Sequence, residues 1–286
     1  MTLRLLIGYD GNPSGRQALA YVAPLVRDST IETTLLTVAR NTTITAGLFD
    51  EASRIVEGAR LEHIGATGSL YGALVQATRS RIFDLAVFGP PGRAWTRLSR
   101  WRQRGSLSAA LPISSLLVQG EARGITRALI CTGGDETVIA DARLTAQLAR
   151  RAAAPATILH VLSQVPLIFG RGTDREQITD AFAATGAPEM KHMRAAADVL
   201  KADGVEAAIK IRIGLVVEEI VAELAEGGYD LLVVGAHRSH GLVERLLLED
   251  VTADIVPHSP VPVLVVKTAQ KAPGDREETR RFLPTS

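Results

Sequence analysis

The chain states its pattern twice. LRLLIGYDG at residue 3 returns as TRALICTGG at 126, and TTLLTVA at 33 returns as ATILHVL at 156, both displaced by 123 positions. IFDLAVFG at 82 returns as GYDLLVVG at 228, now displaced by 146, and LPISSLLVQG at 111 matches SPVPVLVVKT at 259. Self-similarity on this scale means two copies of one unit rather than one long domain. The change in displacement puts an insertion in the second copy, between its second and third strands, within residues 164–203. The polar turn QGEARGIT, 119–126, separates the copies. The units are therefore expected at 1–120 and 125–268, with 269–286 as a solvated C-terminal tail.

Within each copy, short apolar runs rich in β-branched residues alternate with helical patterns. That alternation predicts βαβ units and a mostly parallel sheet. The order reads β-α-β-(α)-β-α-β-α-β, and right-handed crossovers wind it into a five-stranded sheet with helices on both faces. In such sheets ligands sit at the carboxyl ends of the strands, near the point where the strand order reverses. Those ends are where chemistry is sought.

Composition narrows the function. The formal net charge is +1, so no global field draws nucleic acid. Cys131 is the only cysteine and lies in the apolar run RALICTGG, as a buried structural thiol would. No apolar run reaches the roughly 18 residues of a membrane span. The N-terminus MTLRLLIGYDG enters a strand directly, without a signal-peptide pattern, so a cytoplasmic location is expected.

At the first strand end stands Tyr9-Asp10-Gly11-Asn12. Asp10 can accept a hydrogen bond from a base amine or a ribose hydroxyl, and it can equally form an Asx-turn or helix cap. The matching position in the second copy is Gly133, with Asp135 two residues on. After the fourth strand come Gly89 and Gly92 in the first copy, and Gly235 and Gly241 in the second. Glycines there let a backbone approach a phosphate closely, beside a helix N-terminus that favours anions. Between Gly92 and the later pair Gly105-Ser106 lie five arginines and two tryptophans.

RLLIGYDGNPSGRQALAYVAPLV and LVVGAHRSHGLVERLLLEDVTADIVPHSPVPVLVV resemble the opening and closing signatures of the universal stress protein family. The resemblance covers nearly the whole chain as a tandem pair. It implies two Rossmann-like α/β units paired through their last strands, with residues 113–118 beside 261–267, a pseudo-dimer within one chain that can dimerise further. One branch of the family binds ATP through G-x2-G-x9-G-[S/T] and an Asp after the first strand. Carried over, this gives a nucleotide site of Asp10, Gly11, Val38, Gly89, Gly92, Gly105 and Ser106, with ATP and Mg as its ligand. The match is incomplete. Twelve residues, not nine, separate Gly92 from Gly105, and an alternative alignment puts Trp101-Arg102 in the Gly-Ser slot. In the second copy that slot reads Glu249-Asp250, and Gly133 replaces the acidic residue, so its site is degenerate.

No P-loop, G-x-S-x-G elbow or H-E-x-x-H appears, and no nucleophile has a base in register, so no dedicated enzyme is expected. His237 and His240 lack a third ligand at useful spacing and read as turn residues, not a metal site. Asp84 and Asp230 precede the fourth strand of each copy and read as turn or capping residues. In the insertion, MKHMRAAADVLKADG reads as an amphipathic helix whose methionines pack. Two alternatives stay open: a nucleotide-free scaffold acting through a protein partner, and nucleic-acid binding through the Arg/Trp stretch 93–104, which the near-neutral charge disfavours.

Overall fold

A computed structural model of the chain describes residues 2–90, 110–163, 175–184, 186–236, 254–256 and 258–267. The first half runs β1 (Leu3–Tyr9), α1 (Pro13–Val26), β2 (Ile31–Ala39), α2 (Thr42–Ile55), β3 (Leu61–Thr67), α3 (Leu70–Ser80), β4 (Leu85–Phe88) and β5 (Ser114–Leu117). The second runs β6 (Ala128–Thr132), α4 (Val138–Ala152), β7 (Ala156–Leu162), α5 (Arg175–Ala184), α6 (Pro188–Ala202), β8 (Ala207–Ile213), α7 (Val216–Gly227), β9 (Leu231–Gly235) and β10 (Val263–Val266).

The two sheets join through their last strands, Ser114–Leu117 beside Val263–Val266, as the family resemblance implies. Among the described residues ten strands follow the order β3-β2-β1-β4-β5-β10-β9-β6-β7-β8, a sequence that reads alike from either edge. Every neighbouring pair is parallel except β5 and β10, which run antiparallel with Leu116 opposite Leu264. A mostly parallel sheet needs cover on both faces, and it has it. Leu3, Leu5, Ile7 and Tyr9 of β1 point to the side of α1 and α2, while Leu6 points to the side of α3. Gly8 leaves room for Leu70 and Leu74 of α3, whose methyl carbons lie 3.0–3.2 Å from where a Cβ would stand.

Local chemistry sets the helix starts. Asn12 caps α1 by accepting the Gly15 amide at 2.6 Å, and Pro13 supplies a helical φ in the first turn. Asn41 and Ser69 cap α2 and α3 in the same way. Asp84 and Asp230 cap no helix. Each crosses to the neighbouring strand entrance, where Asp84 accepts the Arg4 amide at 2.8 Å and Asp230 accepts the Arg127 amide at 3.0 Å. The halves also meet away from β5 and β10: the Tyr21 hydroxyl donates to the Asp230 carbonyl at 3.1 Å, and the Arg151 guanidinium pairs with Asp28.

The insertion adds α5 to a framework otherwise like the first half, since α6 follows β7 and precedes β8 much as α2 follows β2 and precedes β3. Met190 and Met193 of α6 are buried, as the amphipathic pattern predicts.

Candidate functional site

The strand order reverses between β1 and β4 in the first half and between β6 and β9 in the second. These are the two positions where an open parallel sheet leaves a crevice at its carboxyl edge.

In the first half the registers Tyr9↔Thr37 and Ile7↔Val87 bring Asp10, Val38 and Gly89 to one edge on three adjacent strands. Asp10 accepts the Asn12 amide at 3.3 Å, an Asx-turn, and leaves the capping of α1 to Asn12. Gly11 sits at φ +80°, and a Cβ there would lie 2.8 Å from Leu48 of α2. Gly89 has a packing reason to be glycine: a Cβ would fall 2.3 Å from the Ser14 carbonyl oxygen in the first turn of α1. The Ser14 hydroxyl donates to the Pro90 carbonyl at 2.6 Å and fixes the same approach. Behind this turn Tyr9 is fully buried beneath the Arg16–Glu51 ion pair, and burial first, then the Glu51 carboxylate, push its phenol up to about 12. Gly92, Gly105 and Ser106 lie outside the described residues, as do Trp101, Arg102, His237, His240, Gly241, Glu249 and Asp250.

In the second half a cavity of about 30 Å³ opens at the reversal point, lined by Cys131, Thr132, Gly133, Asp135, Thr137, Asp141 and Gly235. That volume holds water but not a nucleotide. Asp135 forms the Asx-turn here, accepting the Thr137 amide at 3.0 Å. Asp141, in the first turn of α4, is 2% exposed. Burial, then the Glu223 and Asp141 carboxylates, push the Cys131 thiol well above its ordinary range.

Residues of β7, α5 and α6 meet at the same edge. The His160 ring nitrogen Nδ1 bonds the Thr132 carbonyl at 3.0 Å, and His192 Nδ1 bonds the Gly134 carbonyl at 2.9 Å. Phe182 of α5 stacks on His160 with ring centroids 5.9 Å apart. Gly134 lies at φ +94°, and a Cβ there would meet Glu189 Cγ at 2.6 Å.

Sequence reasoning missed Asp141 and His160. Both emerge only when the copies are laid over each other at the displacement of 123, where Ala18 becomes Asp141 and Thr37 becomes His160. Among the described residues no three His, Cys, Asp or Glu side chains gather as a metal site, and no helix is long and apolar enough to cross a membrane.

The family model described as the universal stress protein family matches residues 124–267. No curated protein matches the sequence significantly. Among solved structures, a universal stress protein from Archaeoglobus fulgidus DSM 4304 is similar at 16% identity and a TM-score of 0.64, over 93% of this chain and 97% of its own. A protein of unknown function from Pseudomonas aeruginosa PAO1 is similar at 15% identity and a TM-score of 0.62, over 94% of this chain and 93% of its own. At these identities the likeness shows the fold.

Proposed function

The chain belongs to the universal stress protein family, and from that premise we propose that it is a non-enzymatic, nucleotide-responsive regulator whose single ATP site lies in its first half. In this reading the units are 1–120 and 125–268. The second carries a degenerate site, and the protein signals to a protein partner through the state of the first. Asp10 takes a donor group of the base or ribose, and Gly11 and Val38 offer backbone beside it. Gly89, Gly92, Gly105 and Ser106 offer backbone and a hydroxyl to the phosphates, with Mg as counter-charge.

The observation that carries this is the alignment of Asp10, Val38 and Gly89 on three adjacent strand ends at a reversal point, beside the N-terminus of α1. A carboxylate acceptor on one side and a positive helix end on the other match the two ends of a nucleotide. Thermal unfolding with and without millimolar MgATP tests it. A ligand that binds only the folded chain raises the midpoint further the more its concentration exceeds its dissociation constant, and Asp10→Ala should remove most of that rise. An unmoved midpoint would leave the scaffold reading standing instead.

A further inference from the structure

We infer that Ser14 is a positioning residue for the nucleotide site of the first half: its hydroxyl, donated to the Pro90 carbonyl, holds the turn that starts at Gly89 in the orientation that meets a phosphate. The inference rests on the nucleotide reading above, and it names what orders the phosphate side of that site.

The turn reads Gly89-Pro90-Pro91-Gly92. Proline has no N–H, so within the turn only the two glycines can offer backbone donors to an anion. The Pro90 ring fixes φ, and the proline after it pushes Pro90 towards an extended ψ. What remains to be set is the direction of the Pro90 carbonyl. A carbonyl free to swing towards the crevice would turn its negative end on a phosphate. Ser14 Oγ donates to this carbonyl at 2.6 Å. Asn12 Oδ1 lies 3.0 Å from the same hydroxyl but already accepts the Gly15 amide at 2.6 Å, so the single hydroxyl proton goes to Pro90. The Ser14 backbone presses on the same turn, since its carbonyl oxygen would lie 2.3 Å from a Cβ on Gly89. The turn is thereby docked on the first turn of α1, the helix end that favours anions.

The second half ties its turn elsewhere. Ala236 stands at the position of Pro90, and its amide donates to the Val266 carbonyl at the end of β10 at 2.8 Å. Pro90 has no amide to give to the matching Val118, so the first half cannot tie its turn to its last strand in this way. Thr137 stands at the position of Ser14, but its hydroxyl donates to Asp135. The first half has thus exchanged a bond from turn to last strand for one from turn to helix, and Ser14 supplies it.

Isothermal titration with MgATP compares the natural full-length chain with Ser14→Ala and Ser14→Thr, and thermal unfolding without ligand checks each variant. Ser14→Ala should fold, with a midpoint within roughly 2–4 °C of the natural chain, and should bind MgATP about three- to tenfold more weakly. Ser14→Thr keeps the hydroxyl and copies the residue of the second half, so it should restore the natural affinity. Adenosine brings no phosphate, so whatever affinity the natural chain has for it should survive in Ser14→Ala. Undiminished MgATP binding by Ser14→Ala, an equal loss for adenosine, or a folded Ser14→Thr that fails to restore binding would overturn the inference and leave the nucleotide site standing. So would a Ser14→Ala chain that does not fold, because Ser14 would then be needed for the fold itself. A natural chain that binds no MgATP would instead overturn the nucleotide reading, and this inference with it.

Discussion

Asp84 grips Arg4 at both ends, accepting the backbone amide at 2.8 Å and guanidinium Nη2 at 2.9 Å. The second half repeats the grip, with Asp230 accepting the amides of Arg127 at 3.0 Å and Thr126 at 2.8 Å. Each carboxylate therefore ties the entrance of the fourth strand of its half to that of the first, at the end of the sheet opposite the crevice. Replacing either with Ala leaves a strand amide without its acceptor. A fall in the unfolding midpoint of roughly 2–4 °C per site is expected, with MgATP response unchanged, as a thermal melt would record.

Gly89→Ala separates packing from ligand contact. The new Cβ would stand 2.3 Å from the Ser14 carbonyl oxygen. Backbone must shift, so the variant should lose about 1–3 kcal/mol in a urea titration without any nucleotide present. Asp10→Ala removes only a 3.3 Å Asx-turn bond and should lose no more than about 1 kcal/mol. Asp10 is accordingly the cleaner probe of ligand binding.

The Asp28 carboxylate, bonded to Thr30 and across the halves to Arg151, should make stability acid-sensitive. The Thr30 amide and hydroxyl, then Arg151, hold Asp28 at about 2, below its ordinary 3.8. A carboxylate with a depressed folded-state value contributes stability that is complete above its unfolded value and is lost as pH falls through the folded one. The natural chain and Asp28→Asn should therefore differ in unfolding midpoint at pH 5 to 6 and converge as pH drops from about 4 to about 2. A difference at pH 2 as large as that at pH 5 to 6 would contradict these hydrogen bonds to Asp28.

Glu223 is 1% exposed and is held by Lys210 at 2.6 Å, Arg212 at 2.7 Å and the Tyr229 hydroxyl at 2.9 Å. Burial drives its carboxyl upward, but these three partners outweigh burial and keep it below the ordinary range. Removing the carboxylate takes the partner of Lys210 and of the Tyr229 hydroxyl, while Arg212 keeps Glu219 and Glu226. Glu223→Ala should cost about 2–3 kcal/mol in denaturant unfolding, while leaving MgATP binding intact.

The sequence made the layers and their order legible because strand and helix periods differ and because every strand appears twice. Asp10, Val38 and Gly89 could be named for the same reason: strand ends are readable, and parallel registers bring them together. Asp141 was hidden. A single aspartate in VIADARLTAQLARRA carries no local signal of burial, and only its position against the buried Ala18 sets it apart. The Phe182–His160 stack was beyond reach for a different cause, since it joins an inserted helix to a strand end through tertiary packing that no local pattern encodes. Asp84 and Asp230 read from sequence as turn or capping residues, whereas their partners sit 80 and 103 positions away.

The chain should hold a single nucleotide site, in its first half. Isothermal titration of the full-length chain with MgATP, alongside Asp10→Ala and Asp135→Ala, counts the sites and assigns them. One ATP per chain is expected, with binding abolished by Asp10→Ala and unaffected by Asp135→Ala. Two ATP per chain, binding lost through Asp135→Ala instead, or no heat of binding at all would contradict it.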